Sequence, residues 1–435
     1  MSTSSPTPHI DRTAAPAAGP LHIVPLPAYA QHHLSNGIPV YLLPFGQVDV
    51  LEVQAIFRAG RLYQPQTGVA HFTARNMTEG TASHSSLSLA QLLDGYGAWL
   101  SSDTDEESLC LKLATLTRHL PATLPLLREV IAEPTFPEEE FGKMMTRTLQ
   151  KIEVDEEKTA TLARKHFGQL MYGPDHFYGS YLGQPEVQAL RRDMLVDYHQ
   201  QLLHADNLIL TVVGVFEAPT VLDLLEGTFG NLPRRADARI QPRAQMPDQA
   251  AAQGRHFFER KGMQSTIRLG QRAFARNHPD YYPMVVVNTI LGGYFGSRLM
   301  KNIREEKGYT YGIYSVWNAM RHGGFLAIQS DIGNAYVEDA IAEVKREMRR
   351  LIDEGVSDAE LDLVKNYLVG RSISRRETPF QISDLLRFSL TSDISFDELD
   401  RQYLVIRDIG REDIPAMAGR YFRPDELLEV VVGGK

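Results

Sequence analysis

The chain has 435 residues, 43% of them hydrophobic and 23% charged, with a formal net charge of -9. That length is too great for one ordinary core and predicts several domains. The acidic balance excludes a general nucleic-acid binder, which needs a basic face to neutralise phosphates, but leaves room for a local basic cavity. No apolar run is long enough to cross a bilayer, so no membrane partner is expected. The single cysteine, Cys110, rules out an internal disulfide and reads as a small core residue.

In chain order, residues 1–21 are rich in Ser, Thr, Pro and Ala, with neither the basic start nor the apolar stretch of a secretion signal. They read as a disordered tail on a cytoplasmic protein. His33 to Leu43 is a strand, an Asn36-Gly37 turn and a second strand, and Val50 to Phe57 is a third. Helices follow from about Gly68 to Glu79 and from Ser88 to Tyr96, then strands near Ala98–Ser101 and Glu107–Leu113. Helical patterns cover Leu120–Ala132 and Pro137–Lys151, and Leu208–Gly214 is an apolar strand. The acidic run Asp103 to Glu107 lacks the spaced ligands and turn glycine of a calcium loop and reads as a solvated loop.

The order then repeats. Asn207–Gly214 matches Glu426–Gly433 at an offset of 219. The helix pair in Glu129–Lys151 matches Arg350–Arg371, and the strand at Val50–Phe57 matches Thr266–Phe274, at nearly the same spacing. Three matches at one offset predict two copies of one domain. The reading is 22–232 for the first copy, 233–255 for a polar Pro- and Ala-rich linker, and 256–435 for the second. Hairpin-connected strands mixed with long helices make each copy an α+β unit, an antiparallel-rich sheet covered by helices. The late arginines Arg371, Arg375 and Arg376 could face an acidic peptide, but the plainer reading is a solvated helix face.

Two stretches carry chemistry. Gly296 to Lys307 has an amphipathic helical pattern with Leu299 and Ile303 on one face, stopped by Gly308, and an alternating strand pattern runs from Tyr309 to Val316. This would bring the Arg304 guanidinium and the Tyr311 phenol into one small volume. On local pattern alone the plainer reading is a solvated arginine and a sheet tyrosine. The duplication sets Gly68–Met77 opposite the helix carrying Leu291–Arg298, and His71, Ala74 and Arg75 share its face at i, i+3 and i+4. Only His71 is of a ligand type, and a lone helical histidine is ordinarily structural.

Together these stretches resemble the pitrilysin or insulinase-type zinc metallopeptidases, especially the two-domain branch that includes mitochondrial processing peptidase. Gly68-Val69-Ala70-His71-Phe72, Met77 and Gly80-Thr81 keep the frame of that family's His-x-x-Glu-His motif. Inside it Ala74 replaces the catalytic Glu and Arg75 replaces the second His. Lys151 stands at the distal Glu ligand, unless the alignment slips by two onto Glu153. Leu170–Pro174, Tyr181–Gly183 and Asp206–Gly214 are similar to further family signposts. Ser297-Arg298-Leu299 through Tyr311 matches the element whose Arg and Tyr hold the substrate carbonyl, which fall here on Arg304 and Tyr311.

The resemblance therefore implies a processing-peptidase-like fold of two homologous domains with a dismantled zinc site. One cation about 4 Å from another costs roughly 4 kcal/mol at an effective dielectric of 20, so Arg75 and Lys151 oppose zinc. No metal or other cofactor is expected in this chain. Zinc is expected in a homologous His-x-x-Glu-His partner subunit that hydrolyses a peptide substrate, with Arg304 and Tyr311 stabilising the oxyanion in trans. The alternative is a catalytically dead scaffold or peptide-binding subunit, for which Arg304 and Tyr311 are dispensable.

Overall fold

The computed structural model describes residues 13, 24–235, 242 and 251–434. The tail at 1–21, apart from residue 13, and most of the linker at 233–255 lie outside the described residues.

The alternating and apolar runs build two sheets. The first contains β1 (Ala30–His33), β2 (Pro39–Pro44), β3 (Val50–Phe57), β4 (Trp99–Thr104), β5 (Leu109–Leu116) and β6 (Leu208–Gly214), in the order β1-β2-β6-β3-β5-β4. The second contains β7 (Gly254–Glu259), β8 (Gln264–Ala273), β9 (Ile313–Met320), β10 (Gly323–Gly333) and β11 (Leu428–Gly433), in the order β7-β11-β8-β10-β9. Without β1 the orders are the same. The pairing agrees as well: β2 with β6 and β7 with β11 are the parallel pairs, and every other pair is antiparallel. The repeat read at one offset is thus a repeat of topology.

Helices follow the same plan. The first half carries α1 (Val69–Met77), α2 (Ser86–Gly95), α3 (Leu120–Ala132), α4 (Glu138–Glu156), α5 (Thr159–Tyr172), α6 (Gln184–Gln188), α7 (Arg192–Leu202) and α8 (Ala218–Phe229). The second carries α9 (Tyr281–Asn288), α10 (Val337–Asp353), α11 (Asp358–Ile373), α12 (Pro379–Ser392), α13 (Glu398–Asp408) and α14 (Asp413–Tyr421). α10 shows why such segments fold: Val337, Ala340, Ile341, Val344, Met348 and Leu351 recur at helical spacing and all are buried. The fold is therefore α+β, two similar units each with an antiparallel-rich sheet covered by helices.

Each half lends one helix to the other. Leu162, Ala163, Phe167 and Met171 of α5 bury against Ala327, Leu428, Val430 and Val432 of the second sheet. The Tyr172 hydroxyl donates to the Gly324 carbonyl at 2.8 Å, and the His166 and Phe258 rings stack at 3.7 Å. Reciprocally, Ile382 and Leu386 of α12 bury against Leu43 and Val213 of the first sheet. This explains β3, which is covered on both faces. Its polar residues Glu52 and Gln54 lie under α12, where Gln54 Nε2 donates to Glu52 at 2.7 Å and to Asp384 at 3.3 Å.

Four local expectations change. The acidic run is an inter-half contact, with Asp103 paired to Arg387 and Glu107 to Arg321 at 3.3 Å. The Gly296–Lys307 segment is helical only from about Arg298, and from Met300 to Glu306 it is a π-helix. The helix carrying Leu291 ends near Gly293, so Arg298 belongs to a separate helix that follows it as α2 follows α1. The strand after Gly308 starts at Ile313 and not at Tyr309, because the Thr310 hydroxyl bonds Gly312 and the Asp331 carbonyl and holds the backbone in a loop.

Candidate functional site

α1 sets out the first cluster. Its buried face, Val69, Ala70, Phe72, Ala74 and Met77, joins the core of the first half, which leaves His71 half-buried and Arg75 exposed. α4 packs across it through Phe72 on Phe141, rings 6.1 Å apart, and Asn76 on the Met144 sulfur at 3.0 Å. Two helical turns beyond Met144, the same helix carries Lys151. Burial lowers the His71 pKa, and the charges of Arg75 and Lys151 lower it further. The imidazole is therefore neutral at pH 7, with two cations as its charged neighbours. Glu153, exposed on the same helix, is not among the groups acting on it.

A neutral imidazole could serve as one zinc ligand, but zinc requires about three protein donors. Among the described residues no group of three or more His, Cys, Asp or Glu side chains is placed to hold a metal. Ala74 is 1% exposed and offers no base. The residues present do not fit a catalytic zinc ion.

The second cluster is on the other half. Leu299 and Ile303 are fully buried, and Asn302 donates to Glu343 at 2.8 Å and to Glu347 at 2.7 Å, which fixes the π-helix onto α10. The wide turn shows in Lys307 N–H bonding the Asn302 carbonyl at 3.0 Å. Arg298, from the same stretch, is structural: its guanidinium grips Glu360 at 2.9 and 2.8 Å and the Gly355 carbonyl at 2.6 Å. Arg304 differs. It lies 4.5 Å over the exposed Phe295 ring, with Glu305 at 3.8 Å.

Tyr311 is 94% exposed, yet its loop is anchored on both sides. Tyr309 stacks on Tyr336 at 4.7 Å, Thr310 donates to the Asp331 carbonyl at 2.8 Å, and Ser330 donates to the Gly312 carbonyl at 2.8 Å. Among the described residues nothing hydrogen-bonds the Tyr311 hydroxyl, and no hydrogen bond, ion pair or ring contact joins Arg304 to Tyr311 or either of them to His71. The structure thus assembles each cluster without joining the two, and the Arg304–Tyr311 pair stays open within the chain.

Residues 49–179 match the family model for insulinase, peptidase family M16, and residues 189–368 match that of the peptidase M16 inactive domain. The chain belongs to the M16 family. An uncharacterized zinc protease, YmxG of Bacillus subtilis, is 23% identical over 84% of this chain and 88% of its own length. A protein named non-peptidase homolog YmxG of Helicobacter pylori is 25% identical over 78% of this chain and 77% of its own. The fold is that of a Pseudomonas fluorescens peptidase M16 inactive-domain structure, with a TM-score of 0.83, 22% identity, and 94% and 98% of the two chains covered. A Helicobacter pylori protease structure matches with a TM-score of 0.85 at 18% identity, covering 94% of this chain and 100% of that one.

Within the M16 frame, sequence reasoning missed the free outer edge of β4, the last strand of its sheet, which packs beside α1 and carries Trp99 at 71% exposure. It also missed Phe295, the platform beneath Arg304. Edge position is a property of topology, and the only sequence signal was a tryptophan at the start of a short strand.

Proposed function

We propose that this chain is an inactive M16-type subunit that completes the site of a zinc-bearing homologue, and that the pair hydrolyses peptides. The observation that carries the reading is Tyr311, fully offered to solvent on a loop anchored at Tyr309, Thr310 and Gly312, in a chain whose metal positions hold Ala74, Arg75 and Lys151. An exposed phenol on a fixed loop is preorganised for a partner. A guanidinium and a phenol hydroxyl are both hydrogen-bond donors, so Arg304 and Tyr311 suit the oxygen that becomes negative in the tetrahedral intermediate. Zinc resides in the partner and none in this chain. The buried, free Cys110 fits the reducing cytoplasm to which we assign the complex.

The test is to mix the chain with a His-x-x-Glu-His homologue from the same cell and measure peptide turnover. Activity should appear only in the mixture. Arg304→Ala should lower kcat about 100-fold, the range for loss of one oxyanion donor, without dissociating the complex. Unchanged turnover in Arg304→Ala and Tyr311→Phe would sink the stabiliser role. It would favour the second reading, a peptide-binding scaffold, for which the free β4 edge beside Trp99 is the supporting feature.

A further inference from the structure

The second half contains a cavity of about 360 Å³ between α9, β9, the end of α11 and α12. Its walls include Arg276, Arg371 and Arg375 beside Arg376, and among the described residues no aspartate or glutamate lines it. Among the described residues, none of the first three guanidiniums pairs with a carboxylate. What sets them apart is that all three line one cavity, whereas other cations of this chain are held by carboxylates. The neighbouring Arg376 shows the ordinary outcome: it is buried, bonded to the Val24 carbonyl at 2.7 Å and paired with Asp400. The helix face read as solvated is therefore divided between a buried structural arginine and an open pair.

Arg276 and Arg375 both act with Tyr281, and Arg371 acts on Arg375. Arg276 lies 5.7 Å from the Tyr281 ring centroid and 4.4 Å from that of Phe388, with its Nε bonded to the Ala319 carbonyl at 2.7 Å, so its position is fixed. Tyr281 also acts electrostatically on Arg375, whose pKa burial lowers first and the like charge of Arg371 lowers next. Glu398 reaches Tyr282 electrostatically but is itself held by Arg401 at 2.9 Å. Trp317 and Asn288, each more than nine-tenths buried, also line the cavity, and the indole N–H and the Asn288 Oδ1 find no hydrogen-bond partner. Like charges gathered without counter-charge repel one another, and a bound anion relieves that repulsion, although it offers nothing to the Asn288 Oδ1, which is itself an acceptor.

We propose that this cavity is a binding site for a compact multivalent anion, a phosphate ester or polycarboxylate whose oxygens engage Arg276, Arg371 and Arg375. Leu385 and Phe388, which also line it, come from α12, the helix that covers the first sheet. An occupant therefore ties that exchanged helix to the core of its own half and stiffens the junction between the halves.

The test is isothermal titration of the full chain with pyrophosphate and, separately, with citrate, at constant ionic strength. One site per chain with a submillimolar Kd is expected for at least one of them, and the preferred ion identifies phosphate or carboxylate as the natural chemistry. Arg371→Ala and Arg375→Ala, both on exposed positions, should each weaken binding at least tenfold and abolish the ion's upward shift in Tm. Arg411→Ala, on a distant exposed residue, should change neither. Absence of saturable binding by both ions overturns the site, and so does binding that Arg371→Ala and Arg375→Ala leave intact.

Discussion

On the proposed reading, His71, Ala74, Arg75 and Lys151 stand where a zinc peptidase of this family has its ligands and base, so the difference rests on side-chain identity. Positions 71 and 75 lie one helical turn apart on α1, and Lys151 approaches from α4. Arg75→His with Lys151→Glu would therefore give two imidazoles and a carboxylate, a full ligand set for zinc. The double variant should retain about one zinc per chain after dialysis, measured by elemental analysis, where the parent retains none. It should still hydrolyse nothing, because position 74 has no base, and Ala74→Glu should be needed for any turnover. A metal-free double variant would place the third position elsewhere and would exclude Glu153 as well, since that variant still carries it. The identities at 71, 74 and 75 were legible because a helix turn fixes their spacing. The distal position was not, since it depends on how α4 crosses α1.

Glu107 belongs to the same scale. Its carboxyl pKa is pushed from an ordinary 4.5 up to about 7, chiefly by burial and against the pull of Arg321. Between those values the folded chain holds a proton that the unfolded chain has released. This contribution to stability is thus complete below about pH 4.5 and is lost as pH rises through about 7. Glu107→Gln cannot release a proton, so its Tm should fall less than the parent's between about pH 5 and pH 8. Parallel melting curves across that range would refute the assignment. The sequence marked Glu107 only as one acid in a charged run, because nothing local records that Arg321 of the other half closes over it.

At the scale of elements, the Arg304–Tyr311 segment rests on one backbone position. Gly308 has φ +67, the left-handed region, and a Cβ built there would meet nothing within 4 Å. Gly308→Ala therefore costs only conformational energy, about 1 kcal/mol. That strain falls between the π-helix, which Asn302 holds to α10, and the loop tied down at Tyr309 and Thr310. We expect Gly308→Ala to lower Tm by a few degrees or less, yet to reduce turnover of the mixed complex by a larger factor than that stability change explains. Equal effects would show that the loop does not position Tyr311. The glycine stop and the aromatic alternation were both legible in the sequence. The π-turn and the late strand start were not, because they follow from Asn302 reaching buried Glu347 and from Thr310 reaching Asp331, contacts of long sequence separation.

Over the whole molecule, the duplication was legible in three matches at one spacing, whereas the exchange of α5 and α12 was not. An amphipathic helix shows which face it buries but not which sheet receives it. The consequence is mechanical. Phe167 and Met171 pack against the second half's sheet and Leu386 against the first's, so neither half can open without exposing both interfaces. Thr266 donating to Thr159 at 2.8 Å, Arg272 to the Met171 carbonyl at 2.9 Å and Lys112 to Asp384 at 2.6 Å cross the same boundary. The linker's covalent bond is then dispensable once the chain has folded. A specific protease site placed within residues 243–250 and cut after folding should leave two fragments that co-elute as one particle and melt in one transition near the parent's Tm. Leu386→Ala, which removes a fully buried contact of α12 at a cost of about 2–5 kcal/mol, should lower that Tm and loosen the nicked pair. Two separate transitions in the nicked protein would mean that the halves fold independently, and that the exchanged helices rest on surfaces each half can do without.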